Sequence, residues 1–191
     1  MESKNEPKEL QGAAFGGGCF WCAEAVFLNL KGVVAVTSGY AGGKTPDPTY
    51  EEVSKGETGH AEVILIEYDE KILPFEKLLE VFFDSHDPTT LNRQGNDVGT
   101  QYRSIILYTN ASQREMAEVY IKELNDSKKY ERKIITEVVP LKKFYPAEEY
   151  HKKYYERHPY EGYSELIIKP KVEKIKEKYS ELLKHEEKLD I

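Results

Sequence analysis

Ala13-Ala14-Phe15-Gly16-Gly17-Gly18-Cys19-Phe20-Trp21-Cys22-Ala23-Glu24-Ala25-Val26-Phe27-Leu28 is the stretch from which the fold can be read. Ala13 to Phe15 reads as a short buried strand, and the residues after Cys19 read as a helix. The three glycines then form a strand-to-helix turn with Cys19 at the helix start. A thiol in that position meets unpaired backbone N–H groups and the positive end of the helix dipole, both of which favour thiolate. Glycines beside it let a substrate approach without side chains in the way. The same stretch holds the only tryptophan and both cysteines of the 191-residue chain.

Other readings of this turn are weaker. A phosphate cradle would need G-x-x-x-x-G-K-S/T, or G-x-G-x-x-G in a βαβ unit, and neither is present. Cys19-x-x-Cys22 could be half of a zinc site, completed by two of His60, His86, His151 and His158. No two of these have the H-x₃₋₅-H spacing. Inert buried cysteines fit poorly at the glycine-rich mouth of a helix.

Working outward, Val33 to Tyr40 reads as a β-branched strand, and Lys44 to Gly59 as a long loop. Ala61 to Tyr68 is a second strand, whose period of two puts Glu62 on one face with Ile64, Ile66 and Tyr68. A carboxylate there is either at a wet strand edge or partly buried with a raised pKa. Pro74 to Phe83 is a helix with Phe75, Leu78, Leu79, Phe82 and Phe83 on one core face. His86 to Thr100 is a second loop, and Tyr102 to Tyr108 a strand. Ser112-x-x-Glu115 suggests a capping box for a helix whose inner face carries Met116, Val119, Tyr120 and Leu124. Ile134 to Val139 is a last strand. Lys143 to Gly162 carries Tyr145, Tyr150, Tyr154, Tyr155 and Tyr160 and is expected to wrap the domain. Val172, Ile175, Tyr179, Leu182 and Leu183 recur at helical spacing in the Lys- and Glu-rich tail.

This order predicts an α+β fold, a two-layer sandwich with a split β-α-β arrangement, with a doubly wound parallel sheet as the alternative. The organisation expected is an N-terminal extension over 1–11, a catalytic domain over 12–165, and a helical tail over 166–191 packed on it. A net charge of −7 argues against nucleic-acid binding, and no stretch suits a membrane span or a secretion signal. A cytoplasmic monomer is expected. In a reducing compartment a C-x-x-C pair points to redox chemistry or metal binding more than to a structural staple.

Four blocks carry a family resemblance: Gly18-Cys19-Phe20-Trp21, Gly39-Tyr40-Ala41-Gly42-Gly43, Gly59-His60-Ala61-Glu62-Val63, and Gln94 to Ser104 (QGNDVGTQYRS). Together, and in this order, they resemble the A-type peptide methionine sulfoxide reductases. The resemblance implies a ferredoxin-like core with added loops, and reduction of the S epimer of methionine sulfoxide, free or in proteins. It implies Cys19 as nucleophile, Glu62 as acid, and Tyr40 and Tyr102 as donors to the sulfoxide oxygen. Phe20 and Trp21 would receive the S-methyl group, with Asp97 and His60 lining the substrate site. No metal or bound cofactor is implied.

Members of this family often carry resolving cysteines in the tail and glycine where this chain has Cys22. From Pro140 onward there is no cysteine here. Either Cys22 resolves a sulfenic acid on Cys19 as a disulfide, or an external thiol reduces it directly. Thioredoxin or glutaredoxin would supply the electrons. Two competing functions remain at this level: a general thiol-disulfide oxidoreductase using Cys19 and Cys22, and a zinc-binding module.

Overall fold

The computed structural model describes residues 9–184; residues 1–8 of the N-terminal extension and 185–191 of the tail lie outside the described residues. Strand β1 (Gln11–Gly16) leads through the glycine turn into helix α1 (Phe20–Phe27), followed by β2 (Val33–Ala41), α2 (Tyr50–Ser54) and β3 (Ala61–Tyr68). Next come α3 (Phe75–Ser85), a two-strand ribbon of β4 (Arg93–Gln94) and β5 (Asp97–Val98), and β6 (Ile105–Tyr108). The chain continues through α4 (Ala111–Asp126), β7 (Glu137–Pro140), β8 (Phe144–Pro146), α5 (Tyr154–Arg157) and α6 (Lys169–Lys178).

The main sheet has the order β7-β6-β1-β3-β2-β8. Its central four strands, β6-β1-β3-β2, are antiparallel neighbours, and β3 lies between β1 and β2, which α1 connects. This is the split β-α-β arrangement of the ferredoxin-like fold. The parallel pairing of β6 with β7 and the antiparallel pairing of β2 with β8 extend it at both edges. The doubly wound alternative is thereby excluded.

Two apolar layers cover the sheet. On one face Phe15 stacks on Phe82 at 4.8 Å and leans on Phe27 and Phe75 at 5.8 and 6.0 Å. Buried aromatics of this kind contribute roughly 1.5–3 kcal/mol each. The other face carries the small residues Ala14, Ala41 and Ala61 with Val63, Ile105 and Leu107, covered by Val139, Leu141 and Phe144.

Several local expectations change. The loop over 44–59 contains α2, which has the chain's true capping box: the Thr49 side chain accepts from the Glu52 N–H, and Glu52 returns the bond to the Thr49 N–H. Helix α4 is capped by Asn110, not Ser112, because the Asn110 side chain accepts from the Gln113 N–H. Its inner face is Gln113, Ala117 and Leu124 with Met116 and Tyr120, leaving Val119 in solvent. Tyr102 ends a 3₁₀ turn, so that strand begins only at Ile105, and the expected strand over 134–139 pairs only from Glu137. Strand β8 was not foreseen, since three residues ending in proline carry almost no strand signal.

Helix α6 packs against α1 and α3, burying Val172 and Ile175. An ionic cluster fixes it there. The Asp84 carboxylate at the end of α3 accepts from Lys129 at 2.6 Å, from Lys178 and from the Tyr179 hydroxyl. Burial would raise its pKa, but these donors outweigh burial and hold it at about 2. Because the folded pKa is depressed, the stabilisation is present above the ordinary carboxylate range and is lost as pH falls toward 2. Asp84→Asn is expected to destabilise the fold by about 1–3 kcal/mol at neutral pH, measured by urea unfolding, with the deficit shrinking in acid.

Candidate active site

Cys19 is the N-cap of α1, in extended conformation at φ −62° and ψ 126°, and its carbonyl accepts the Cys22 N–H at 3.2 Å. The turn before it needs Gly18. This residue has φ +93°, and a Cβ there would lie 2.7 Å from the Gln94 side chain. Both thiols are buried, Cys19 8% and Cys22 5% exposed, and unlinked. They lie within hydrogen-bonding reach of each other. Burial, the Cys22 hydrogen bond and the Glu62 charge push the Cys19 thiol well up. Cys22 is lowered, chiefly by its hydrogen bond with Cys19, with Lys171 assisting against desolvation. A helix start alone therefore does not make Cys19 a thiolate here, because desolvation opposes it.

Glu62 belongs to the interior rather than a wet strand edge. It is 2% exposed, lies across from Tyr40 in the β2–β3 register, and accepts the Phe20 N–H at 3.1 Å. Burial pushes its pKa up to about 8; the Asp97 and Cys22 charges add to this, and the Phe20 bond opposes it. At neutral pH this carboxyl therefore holds a proton, beside a thiol.

Two phenols face the same region. The Tyr40 hydroxyl donates to Glu148 Oε2 at 2.8 Å, and Glu148 Oε1 accepts the Tyr50 N–H at 2.8 Å. Burial raises the Tyr40 pKa, with the Glu148 bond adding to it; burial and Glu62 raise that of Tyr102. Both remain proton donors throughout the ordinary pH range.

The aromatic wall is held from the C-terminal third. Trp21 Nε1 donates to His151 Nδ1 at 3.0 Å, so the neutral imidazole carries its proton on Nε2. Burial depresses the His151 pKa, which keeps the ring neutral. Tyr154 stacks on Trp21 at 3.6 Å with an interplanar angle of 3°, and Tyr163 meets it edge-on at 5.8 Å. The Tyr163 hydroxyl donates to Asp97 Oδ2 at 3.1 Å. Phe20 lies 5.9 Å from Tyr40 and 5.0 Å from His151.

Cys19, Cys22, Phe20, Trp21, Tyr40, Glu62, Asp97 and Tyr102 are thus brought to one region. His60, expected beside the substrate, instead commits both ring nitrogens to its own loop: Nδ1 accepts the Gly43 N–H at 3.0 Å, and Nε2 bonds the Thr45 carbonyl at 2.7 Å. Tyr50, Glu148, His151, Tyr154 and Tyr163 join the site without having been singled out for it. The tyrosine density over 143–162 marked the right segment, but no spacing ties it to Trp21. Among the described residues, no three His, Cys, Asp or Glu side chains are grouped to hold a metal ion.

Comparison with known proteins shows the family. The family described as peptide methionine sulfoxide reductase matches residues 11–183. The peptide methionine sulfoxide reductase MsrA of Acinetobacter baumannii strain AYE is 55% identical over 176 residues, covering 92% of this chain and all of that protein. Among solved structures, Mxr1 of Saccharomyces cerevisiae in reduced form superposes with a TM-score of 0.74 at 33% identity, covering 83% of this chain and 91% of that one. The structure of Mxr1 in complex with Trx2 aligns with a TM-score of 0.54 at 25% identity, covering 80% and 89%. With a thiol pair, a protonated buried carboxyl and an aromatic wall assembled as described, the chain belongs to the peptide methionine sulfoxide reductase family and is an enzyme of methionine sulfoxide reduction.

Proposed function

We propose that the chain reduces the S epimer of methionine sulfoxide, free or in proteins, with Cys19 as nucleophile and Glu62 as acid. The observation that carries this reading is the protonated, buried Glu62 carboxyl, hydrogen-bonded by the Phe20 N–H next to Cys19. Sulfoxide sulfur becomes electrophilic when its oxygen is protonated or strongly hydrogen-bonded. Glu62 gives its proton to that oxygen while Tyr102 donates a hydrogen bond to it and Tyr40 turns its hydroxyl from Glu148 to the same oxygen. The Cys19 sulfur attacks the substrate sulfur as its own proton passes to the Glu62 carboxylate just formed, methionine leaves, and Cys19 retains the oxygen as sulfenic acid. Phe20 and Trp21 enclose the S-methyl group, and Asp97, held by the Tyr163 hydroxyl, positions substrate or water.

Cys22 then attacks the sulfenic sulfur, releasing water and forming the Cys19–Cys22 disulfide. A thioredoxin-type dithiol reduces it through a mixed disulfide and is itself oxidised. The contact between the two thiols supports this route, and the Mxr1 complex with Trx2 supports a thioredoxin-type donor. Glutaredoxin has the same dithiol chemistry. The cytoplasm, where such donors are kept reduced, is the compartment this cycle suits.

Cys19→Ser is expected to abolish reduction of the S epimer. Cys22→Ser should convert about one equivalent in a single turnover and cycle slowly with thioredoxin. Mass spectrometry after substrate alone should find a loss of two hydrogens in wild type and an added oxygen in Cys22→Ser; normal cycling by that variant would remove Cys22 from the mechanism.

The sign of the pH dependence follows from Glu62. Its acid form is present below about 8, so single-turnover reduction should decline as pH rises through that value. Glu62→Gln should be slower by about 10²–10⁴-fold and lack the decline. Equal dependence of insulin disulfide reduction on Glu62 would favour a general thiol-disulfide oxidoreductase.

His151→Phe removes the acceptor for the Trp21 indole while keeping a ring of similar size. It should raise KM for methionine sulfoxide about tenfold with a smaller change in kcat.

A further inference from the structure

Glu24 is a buried carboxyl that the mechanism above does not use. It lies on α1 two residues after Cys22, is 2% exposed, and faces away from the thiols toward the C-terminal segment. A cavity of about 180 Å³ adjoins it, lined in part by Lys153, Tyr155 and Glu156 around α5 and by Val172 and Lys176 of α6. The backbone N–H groups of Lys153 and Tyr154 face its carboxyl and favour its charged form. Lys153 is held there in the left-handed region at φ 50°, which a non-glycine residue keeps only where its surroundings enforce it. The next residue, Tyr154, lies flat on Trp21.

We infer that Glu24 is a positioning residue for the aromatic pocket: by holding the strained Lys153–Tyr154 turn, it seats the Tyr154 ring on the Trp21 indole. The inference rests on the reading of Phe20 and Trp21 as the methyl pocket. A carboxyl suits the task because two oxygens can take two converging N–H donors, whereas a neutral acid gives up acceptor capacity to its own proton. Burial pushes the Glu24 pKa up to about 7, with the two backbone N–H groups and the Lys153 charge opposing and Glu156 reinforcing. The groups facing it are Lys153, Tyr155 and Glu156 from the α5 region and Lys176 from α6. The turn is therefore held most firmly above neutrality and loosened below it.

The single tryptophan makes the test direct, because its emission reads the Tyr154 stack whether or not the catalytic assignment holds. Wild-type emission should titrate with a midpoint near 7. Glu24→Gln, which keeps the shape and one acceptor oxygen, should fold normally and lose that titration. Glu24→Leu should show at every pH the emission of Tyr154→Ala, and raise KM for methionine sulfoxide about tenfold with a smaller effect on kcat; Glu24→Gln should recover part of that KM. An unchanged titration in Glu24→Gln would assign it to another group and overturn the inference. So would Glu24→Leu with wild-type emission. If emission changes as expected while KM does not, Glu24 seats Tyr154 but the Trp21 wall is not the methyl pocket, and it is the catalytic reading that fails.

Discussion

The hydrogen bond from the Phe20 N–H to the Glu62 carboxyl joins the first turn of α1 to the central strand β3. Much of the site depends on it. The first N–H groups of a helix have no partner within the helix, and burying them unpaired costs roughly 1–3 kcal/mol each. Glu62 satisfies one of them and, in doing so, fixes the start of the helix on which Cys19 is the cap. Burial in turn keeps a proton on Glu62 at neutral pH, so one residue both docks the helix and stores the acid.

The second constraint is the embrace of the C-terminal third. Strand β8 pairs with β2 beside Tyr40, where a Cβ on Gly39 would lie 2.4 Å from the Tyr145 carbonyl oxygen, so only glycine admits the close approach. Glu148 follows on Tyr40, His151 and Tyr154 on Trp21, and Tyr163 on Asp97. The Asp84 cluster then ties α6 to α3. Segments that contribute no thiol thus supply the supports that orient the residues at the thiol.

Much of this was legible beforehand. Period-two alternation put Glu62 among Ile64, Ile66 and Tyr68, the glycine turn put Cys19 at a helix start, and the apolar stripe of α3 is its buried face. The errors share a physical cause. The α2 capping box was hidden in a loop rich in proline and glycine; Ser112 lost the capping role to Asn110; and Val119 rotated into solvent, because local signals are decided by which helix face finds a partner. His60, taken from a matched block, turned out to tie its own loop.

By itself the sequence determined which chemistry is available: two thiols in one C-x-x-C pair, none in the tail, and a carboxyl on an apolar strand face. These follow from residue types and short spacings, which the backbone's helical and strand periods convert into position. Only the tertiary structure decided how those groups are tuned and held. The proton on Glu62, the raised Cys19 thiol, the neutral His151 under the Trp21 indole and the Tyr154 stack all depend on desolvation and on contacts between residues far apart in the chain, 130 positions for Trp21 and His151 and more for Trp21 and Tyr154. No local pattern encodes such contacts, because they exist only once the sheet and its C-terminal embrace have closed.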